Sequence, residues 1–389
     1  MKDFPTKKLP DQNVRVPQSI SKIASEIISK SDREHPADSV LRVELKRRNL
    51  LREESRKISR AVFTYFRWLG WLDSQKPLAG NLFVAEQLAE KFAREPQRFS
   101  DEELLAKGIP AWVKENMKVS PEWLRALQSE PKLWLRTKRG QAGRIAESLG
   151  FSLLEQNTLL TDAIEYRGKE DLFRSPEFQN GEFELQDISS QAVGVICDPQ
   201  AGEMWWDACA GEGGKLLHLS ELMQNKGLIW ASDRADWRLK RLKQRTARAK
   251  VFNYRAAAWD GGKKLPTKTK FDGVLVDAPC SGIGTWHRNP QARWTSSEKD
   301  VLELSEIQRN LLLHAADGVK PGGKLIYSVC TVSQKEATDV ANFFQSERKD
   351  FQPLAVKNPF KPEESAPQLW FWPQSGGGNG MFVAVWKRD

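Results

Sequence analysis

From about residue 181 onward, short apolar runs alternate with helical stretches, and this alternation limits the possible folds more than any other feature of the chain. Apolar runs such as GLIWASD and FDGVLVDAP are typical of buried strands. The spacing between such runs predicts helices over 215–224, 235–250, 297–317 and 335–347. Because strand–helix–strand units build parallel sheets, we predict an α/β fold with a doubly wound, mostly parallel, Rossmann-like sheet. Further on, QLWFWP and MFVAVWKR flank a glycine-rich turn and predict a hairpin at the sheet edge.

Before this alternation, the composition and apolar pattern of the chain change twice, which predicts three preceding segments. Residues 1–20 are polar and rich in proline and lysine, and they predict a flexible lead-in. Within 21–105, the run RKISRAVFTYFRWLGWLD has apolar residues at helical spacing, which predicts a helical domain. Residues 106–180 hold scattered prolines and tryptophans among short runs, which favours a small α+β module. The doubly wound sheet would then occupy residues 181–389.

Composition limits the partners and the compartment. Lysine and arginine number 60 against 51 aspartates and glutamates, a formal net charge of +9, which favours a polyanionic partner such as nucleic acid. The four cysteines include no CxxC pair, which argues against a zinc site and against a disulfide framework. No apolar run of about 20 residues and no apolar signal core is present, so we expect no membrane segment. We therefore expect a cytoplasmic, metal-free monomer.

A glycine-rich loop follows the first predicted strand of the sheet, in DACAGEGGK. Glycines there let a ligand approach the backbone, although the loop alone fits dinucleotides, adenosylmethionine or tight packing. The next two strands end in Asp233 and Asp260, where acids can accept hydrogen bonds from a ribose and lie beside an adenine. The residues predicted to hold the cofactor are Cys209, Ala210, Gly211, Glu212, Gly213, Gly214, Lys215, Asp233, Arg238, Asp260 and Asp277. S-adenosylmethionine fits better than a nicotinamide because the next motifs suit methyl transfer.

Two cysteines end the following two predicted strands. Cys280 lies in DAPCSG, shortly after Asp277, and Cys330 lies in YSVCTV. If the strands are neighbours, about 4.8 Å apart, both thiols face one crevice. A thiolate that adds to carbon 6 of cytosine makes carbon 5 nucleophilic enough to accept a methyl group from a sulfonium. Asp277 would stabilise the charge that develops near N3 and N4. These residues alone leave open which cysteine attacks.

The motifs DACAGEGGK, DAPCSG and YSVCTV, in this order, resemble those of the Sun/Fmu (RsmB-like, NSUN) family of RNA cytosine-5 methyltransferases. The resemblance covers roughly residues 130–389 and includes LQDISSQAVGVICDPQAGE and HRNPQARW, while 21–105 weakly resembles the NusB-like domain of some members. It implies S-adenosylmethionine as the cofactor and Cys330 as the nucleophile, with Cys280 taking part in product release. It also implies an RNA substrate, with ribosomal RNA the first choice and transfer RNA the second.

The chain departs from the family pattern at two places. The family loop is usually CAAPGGKT, whereas this chain has CAGEGGKL. We interpret Gly213 as the residue that replaces the proline, with the acidic Glu212 before it. After the strand-five cysteine the family often has Glu-Asn, and this chain has Glu336-Ala337. The first departure would alter cofactor affinity, and the second would alter a helix cap or an RNA contact.

Basic residues outside the cofactor loop are candidates for RNA contacts. The target base must leave its stack to reach a buried thiol, so flanking phosphates need to be held. Arg288 and Arg293 follow the DAPCSG loop, and Arg136 and Lys138 lie in the module before the sheet. We predict that these four side chains meet RNA.

Three other hypotheses explain part of the pattern. A small-molecule or protein methyltransferase would leave the paired cysteines and the basic front half without a role. A non-catalytic RNA-binding or assembly factor would have no need of Asp277, Cys280 and Cys330. A DNA cytosine-5 enzyme would use Cys280 as its nucleophile, and the residues themselves do not exclude it.

Overall fold

The computed structural model describes residues 18–117, 119–155 and 158–389. Residues 1–17 of the predicted lead-in lie outside the described residues, and residues 18–20 already belong to a helix in which Ile20 is buried. The chain divides into two compact units, residues 1–103 and 104–389. No helix of the described ranges combines the length and apolar character that crossing a membrane requires.

The first unit is helical, as the periodicity of 21–105 predicts. Its helices are α1 (Gln18–Ser29), α2 (Ala37–Arg48), α3 (Arg52–Arg67) and α4 (Leu78–Arg94), and α5 (Asp101–Lys107) begins in this unit. The apolar face of α3 is buried because Ile58, Val62 and Phe66 pack with Ile27 and Leu82 in one core. The NusB-like character of this unit stays a prediction.

The second unit begins with helices and a small sheet. In chain order these are α6 (Ala111–Asn116), α7 (Pro121–Gln128), β1 (Leu133–Thr137), α8 (Ala142–Leu149), β2 (Ser152–Leu154), β3 (Ala163–Tyr166), α9 (Pro176–Gln179) and β4 (Phe183–Leu185). The strands pair antiparallel in the order β2-β3-β1-β4. Ile145 of α8 packs with Leu135 and Ile164 against this sheet. This segment therefore has α+β structure, as expected for 106–180, but β4 extends its sheet beyond residue 180, and a separate RNA-binding module stays a prediction.

The remaining chain forms the predicted doubly wound sheet with helices on both faces. Its helices are α10 (Ile188–Cys197), α11 (Gly214–Leu222), α12 (Asp236–Ala249), α13 (Ala292–Thr295), α14 (Glu298–Ala316), α15 (Thr338–Glu347) and α16 (Pro373–Gly376). Its strands are β5 (Met204–Asp207), β6 (Leu228–Asp233), β7 (Tyr254–Ala258), β8 (Phe271–Asp277), β9 (Val319–Val329), β10 (Phe351–Pro353), β11 (Val356–Asn358), β12 (Lys361–Ala366), β13 (Gln368–Phe371) and β14 (Met381–Arg388).

The strand order of the main sheet creates a crevice. The order is β10-β14-β9-β8-β5-β6-β7, with β13 also paired to β14, while β11 and β12 form a separate pair. Strands β5 to β9 are parallel, and the chain runs outward from β5 to β7 before returning to β8 beside β5. Ligands of such sheets bind where the strand order reverses, beyond the carboxyl ends of the strands. The crevice between β5 and β8 is therefore the expected site.

The central strands are buried on both faces. Leu275 and Ile326 belong to one core, whereas Val274 and Leu325 belong to the core on the opposite face, because successive strand residues alternate sides. The predicted hairpin forms from β13 and β14. Strand β14 also pairs with β9, with Phe382 opposite Val329, so it supports the strand that leads to the second cysteine.

Candidate active site

A cavity of about 560 Å³ lies at the carboxyl ends of the parallel strands. The predicted cofactor residues that line it are Cys209, Ala210, Gly211, Glu212, Gly214, Lys215, Asp233, Arg238, Asp260 and Asp277. Gly213 is absent from this lining, while Cys280 and Cys330 belong to it. The residues that the sequence places at five strand ends thus meet around one space.

The glycine loop between β5 and α11 requires glycine at two positions. Gly211 has a φ of +54° and Gly213 has a φ of +87°, a region that side chains with a β-carbon rarely adopt. A β-carbon at Gly213 would also lie 2.9 Å from Leu242 Cγ. Proline cannot adopt a positive φ, so our interpretation that Gly213 replaces the family proline is wrong. Counting from the shared GGK places that proline at Glu212, whose carboxylate pairs with Arg241 at 2.8 Å.

Asp233 ties the glycine loop to the next strand end. Its Oδ2 accepts a hydrogen bond from the Gly211 N–H at 3.0 Å, and its Oδ1 accepts one from the Ala235 N–H at 2.8 Å. Arg238 lies 3.7 Å from the same carboxylate, which is buried. Asp260, at the end of the following strand, is exposed and accepts from the Gly262 N–H at 2.8 Å. The predicted ribose and adenine contacts stay predictions.

Asp277 forms an ion pair with Lys215 beside the cysteines. Lys215 Nζ donates to Asp277 Oδ2 at 2.7 Å, and the Ser328 hydroxyl donates to Oδ1 at 2.7 Å. Burial by itself would lower the pKa of Lys215, but the Asp277 carboxylate outweighs it and raises that pKa. Lys215 is therefore a fixed positive charge. The sequence predicts Lys215 as a cofactor residue and Asp277 as a catalytic acid, and the two side chains contact each other.

The two cysteines of interest face each other across adjacent strand ends. Their sulfurs are 3.2 Å apart, because β8 and β9 pair in parallel with Asp277 opposite Ser328. The hydrogen bond to Cys330 raises the pKa of Cys280 well above its usual value, and burial raises it further. The Cys280 thiol therefore favours its protonated form, and either sulfur can be the donor in this contact. The strands that precede the two cysteines are therefore neighbours, as the motifs predict.

Asp207 is a strand-end acid to which the motifs assign no cofactor contact or catalytic role. It ends β5, lines the cavity and is fully buried, and neither carboxyl oxygen has a hydrogen bond of good geometry within the described ranges. Burial raises its pKa to about 7, and repulsion from Asp277 adds to the rise, while Lys215 and the Cys209 N–H oppose it. Only its place at the start of DACAGEGGK could have indicated it.

This shift predicts a pH-dependent effect of Asp207→Asn on stability. The folded chain keeps the Asp207 proton up to a pH of about 7, whereas the unfolded chain loses it near 3.8, so this stabilisation is lost as the pH rises through about 7. The variant should therefore be more stable than the wild type at pH 8, by up to about 4 kcal/mol, with little difference at pH 4. Thermal melts of the variant and the wild type at pH 4 and pH 8 test this. An equal difference in melting temperature between the two proteins at both pH values would contradict it.

Two of the predicted RNA contacts are wrong because their side chains are buried. Arg293 is 0% exposed, and its guanidinium donates to the carbonyl oxygens of Gly108 at 2.8 Å and Leu127 at 2.9 Å. Arg136 is also buried, its Nε donates to Gln186 Oε1 at 2.6 Å, and burial lowers its pKa. These charges hold protein segments together, and neither presents a free guanidinium at the surface.

The other two predicted RNA contacts are more accessible. The Arg288 guanidinium donates to Asp187 Oδ2 at 3.0 Å and to the Lys132 carbonyl oxygen at 3.1 Å, and its side chain is 35% exposed. Lys138 is half-buried. Their contact with RNA stays a prediction.

Comparisons with known proteins agree with this geometry. A family model described as 16S rRNA methyltransferase RsmB/F matches residues 194–387. The chain is 35% identical to a probable ribosomal RNA small subunit methyltransferase B of Bacillus subtilis, over 66% of this chain and 60% of that protein. It is 32% identical to the ribosomal RNA small subunit methyltransferase B of Shewanella oneidensis, over 71% and 67% of the two chains. It is 31% identical to the human 28S rRNA (cytosine(4447)-C(5))-methyltransferase, over 59% of this chain and 30% of the human protein.

The chain thus spans 60% of the length of the Bacillus relative and 30% of the length of the human relative.

Solved structures show the same fold. The crystal structure of PH0851 superimposes with a TM-score of 0.78 at 23% identity, covering 98% of this chain and 100% of that one. NSun6 from Pyrococcus horikoshii, crystallised with SFG, has a TM-score of 0.59 at 18% identity, covering 74% and 96%.

Proposed function

Because the chain belongs to the RsmB/F family of 16S rRNA methyltransferases, we propose that it transfers a methyl group from S-adenosylmethionine to carbon 5 of a cytosine in RNA. One observation carries this proposal. The sulfurs of Cys280 and Cys330 are 3.2 Å apart on the cavity that the glycine loop also lines, with the Lys215–Asp277 pair beside them. Ribosomal RNA is our first choice of substrate, since the relatives reported above are named for it, and transfer RNA is the second.

The cavity suits S-adenosylmethionine in size and charge. Its volume of about 560 Å³ lies within the usual range for small-molecule sites. Asp233 and Asp260 in its lining can accept hydrogen bonds from ribose hydroxyls and can pair with the ammonium group of the cofactor. At Gly211 a β-carbon would meet no atom within 4 Å, so the backbone there borders open space. When bound, the cofactor supplies an electrophilic methyl group.

We assign the nucleophile to Cys330. The raised pKa of Cys280 favours its thiol form, which makes Cys280 the less suitable of the two sulfurs to attack as a thiolate. In the forward step the Cys330 sulfur bonds to carbon 6, and the electron pair of the carbon 5–carbon 6 double bond becomes available at carbon 5 for methylation. The carbon 5 proton then leaves to a base, the sulfur–carbon 6 bond breaks and the double bond returns. We assign Cys280 to this release.

Lys215 and Asp277 act on the pyrimidine ring. The Asp277 carboxylate accepts a hydrogen bond from the N4 amino group, which orients the base. Lys215, 2.7 Å from that carboxylate, supplies the positive charge that offsets the negative charge developing on the ring as sulfur adds. We further propose that the helical unit and the small α+β module supply RNA affinity, together with Arg288 and Lys138.

Bisulfite sequencing of total RNA from cells with and without the gene tests the proposed reaction. We expect at least one cytosine to resist conversion only in cells that have the gene, and a gene copy carrying Cys330→Ala to leave that cytosine unmodified. RNA with no gene-dependent cytosine would contradict the proposal. A gene-dependent methyl group found only in DNA, in protein or on a small molecule would favour one of the other enzyme classes instead.

A further inference from the structure

One buried carboxylate receives hydrogen bonds from both loops that carry the cysteines. Glu336 is 0% exposed and lies just after β9. Its Oε1 accepts from the Ser281 N–H at 2.7 Å and from Gln308 Nε2 at 3.0 Å. Its Oε2 accepts from the Ser281 hydroxyl and from the Thr331 hydroxyl at 2.9 Å. Four hydrogen bonds thus converge on the two oxygens of this side chain.

The donors flank the two cysteines in the sequence. Ser281 follows Cys280 directly, and Thr331 follows Cys330 directly. Gln308, which is fully buried, also donates to the Pro279 carbonyl oxygen at 2.9 Å and therefore holds the residue before Cys280. The backbone on both sides of Cys280 and the backbone after Cys330 are thus joined through one side chain.

A second set of contacts fixes Glu336 itself. The Tyr327 hydroxyl donates to the Glu336 carbonyl oxygen at 2.6 Å, and Tyr327 is buried within β9. Burial raises the pKa of Glu336, and the donors from Ser281, Gln308 and Thr331 oppose that rise. A buried carboxylate with all its acceptors satisfied has little freedom to move. The sequence alone shows only a Glu six residues after Cys330.

We propose that Glu336 is a positioning residue that locks the Cys280 and Cys330 loops together, so that the two sulfurs meet the same cytosine. This inference rests on the function proposed above. Glu336 is not part of the cavity lining and holds the two loops through Ser281 and Thr331. Misplacement of reacting groups by about 1 Å can lower a rate about 100-fold, which sets the scale of the expected effect.

Two variants of Glu336 separate positioning from simple folding. Glu336→Ala removes both acceptor oxygens and so all four hydrogen bonds. It should lower kcat about 100-fold, with the KM for RNA changed less than about threefold. Glu336→Gln can keep the arrangement, because its oxygen accepts from the Ser281 N–H and Gln308 while its amide donates to the two hydroxyls. It should stay within about tenfold of wild-type kcat. Should Glu336→Ala fail to fold, Thr331→Val removes one donor and should show a smaller loss of the same kind.

The matched control is Asp350→Ala. Asp350 is a half-buried carboxylate of the same unit that pairs with Arg348 at 2.9 Å and with Arg388 at 3.3 Å, and it does not belong to the lining of the cavity. Its loss should lower the melting temperature while leaving kcat within about threefold of wild type. A fall in kcat in Asp350→Ala equal to that in Glu336→Ala would mean that lost stability explains both, and the proposal would fail.

A readout that needs no RNA measures the sulfur spacing directly. Dibromobimane fluoresces when it bridges two neighbouring thiols, so the wild type should give a signal that Cys330→Ser abolishes. Glu336→Ala should lose most of this signal, while Glu336→Gln and Asp350→Ala should keep it. Unchanged bridging and kcat in Glu336→Ala would overturn the proposal, as would a Glu336→Gln that bridges normally yet is as slow as Glu336→Ala. If the wild type methylates no RNA, the proposed function fails, but bridging still decides whether Glu336 positions the pair.

Discussion

We expect Cys330→Ala to abolish methyl transfer without leaving a protein–RNA adduct, and Cys280→Ala to accumulate an adduct that survives denaturing electrophoresis. In the proposed mechanism Cys330 forms the bond to carbon 6, so nothing covalent can form without it. The same mechanism needs Cys280 afterwards, when that bond breaks, so the loss of Cys280 should trap the conjugate. The 3.2 Å contact between the sulfurs places both groups at one base, which is why two neighbouring substitutions should have opposite outcomes on the gel.

The double variant is the control for this pair, and it should behave like Cys330→Ala. Thermal melts must show that both single variants fold, because a buried cysteine replaced by alanine also costs some stability. An adduct seen with Cys330→Ala but not with Cys280→Ala would reverse the assignment. It would make Cys280 the nucleophile, as in the DNA-type hypothesis.

Asp277→Asn should lower kcat by about 100-fold to 1,000-fold, the usual cost of removing one preorganised electrostatic group from a reacting centre. The substitution keeps the shape of the side chain but removes the charge that holds Lys215 at 2.7 Å. Lys215 then stays buried without its counterion and no longer lies where the ring charge develops. Single-turnover methylation of RNA measures the effect without interference from product release.

The same strand offers a matched control for this experiment. Asp272, near the start of β8, forms an ion pair with Lys320 at 2.8 Å, far along the strand from the cavity. Asp272→Asn should therefore leave kcat within about threefold of wild type. Equal losses in both variants would show that the effect arises from the stability of the strand. Lys215→Met combined with Asp277→Asn should cost less than the product of the two single losses, because the partners act as a pair.

Local sequence patterns predict the strands, their parallel order and the proximity of the two cysteines, and the folded chain agrees with them. Apolar runs that end in Asp207, Asp233 and Asp277 are local signals, and right-handed crossovers leave few ways to arrange them. Once β8 and β9 are neighbours, the motifs after them must share one crevice. The candidate site was therefore predictable to the level of which motifs meet.

Tertiary burial determines the features that the sequence did not indicate. The charge of Arg293 suggested a phosphate contact, yet folding places it against Gly108 and Leu127, more than 150 residues away in sequence. The raised pKa of Asp207 depends on burial and on Asp277, neither of which a motif records. Glu336 and Ser281 are 55 positions apart, so no local pattern could pair them.

The pairing of β9 with β14 has a consequence for how the protein is made. During synthesis β9 leaves the ribosome well before β14, so until β14 arrives the strand leading to Cys330 has an open edge. The loop before β14 is also needed, because Asn379 and Met381 line the cavity. A nascent chain therefore carries the cysteines before it has a closed pocket around them.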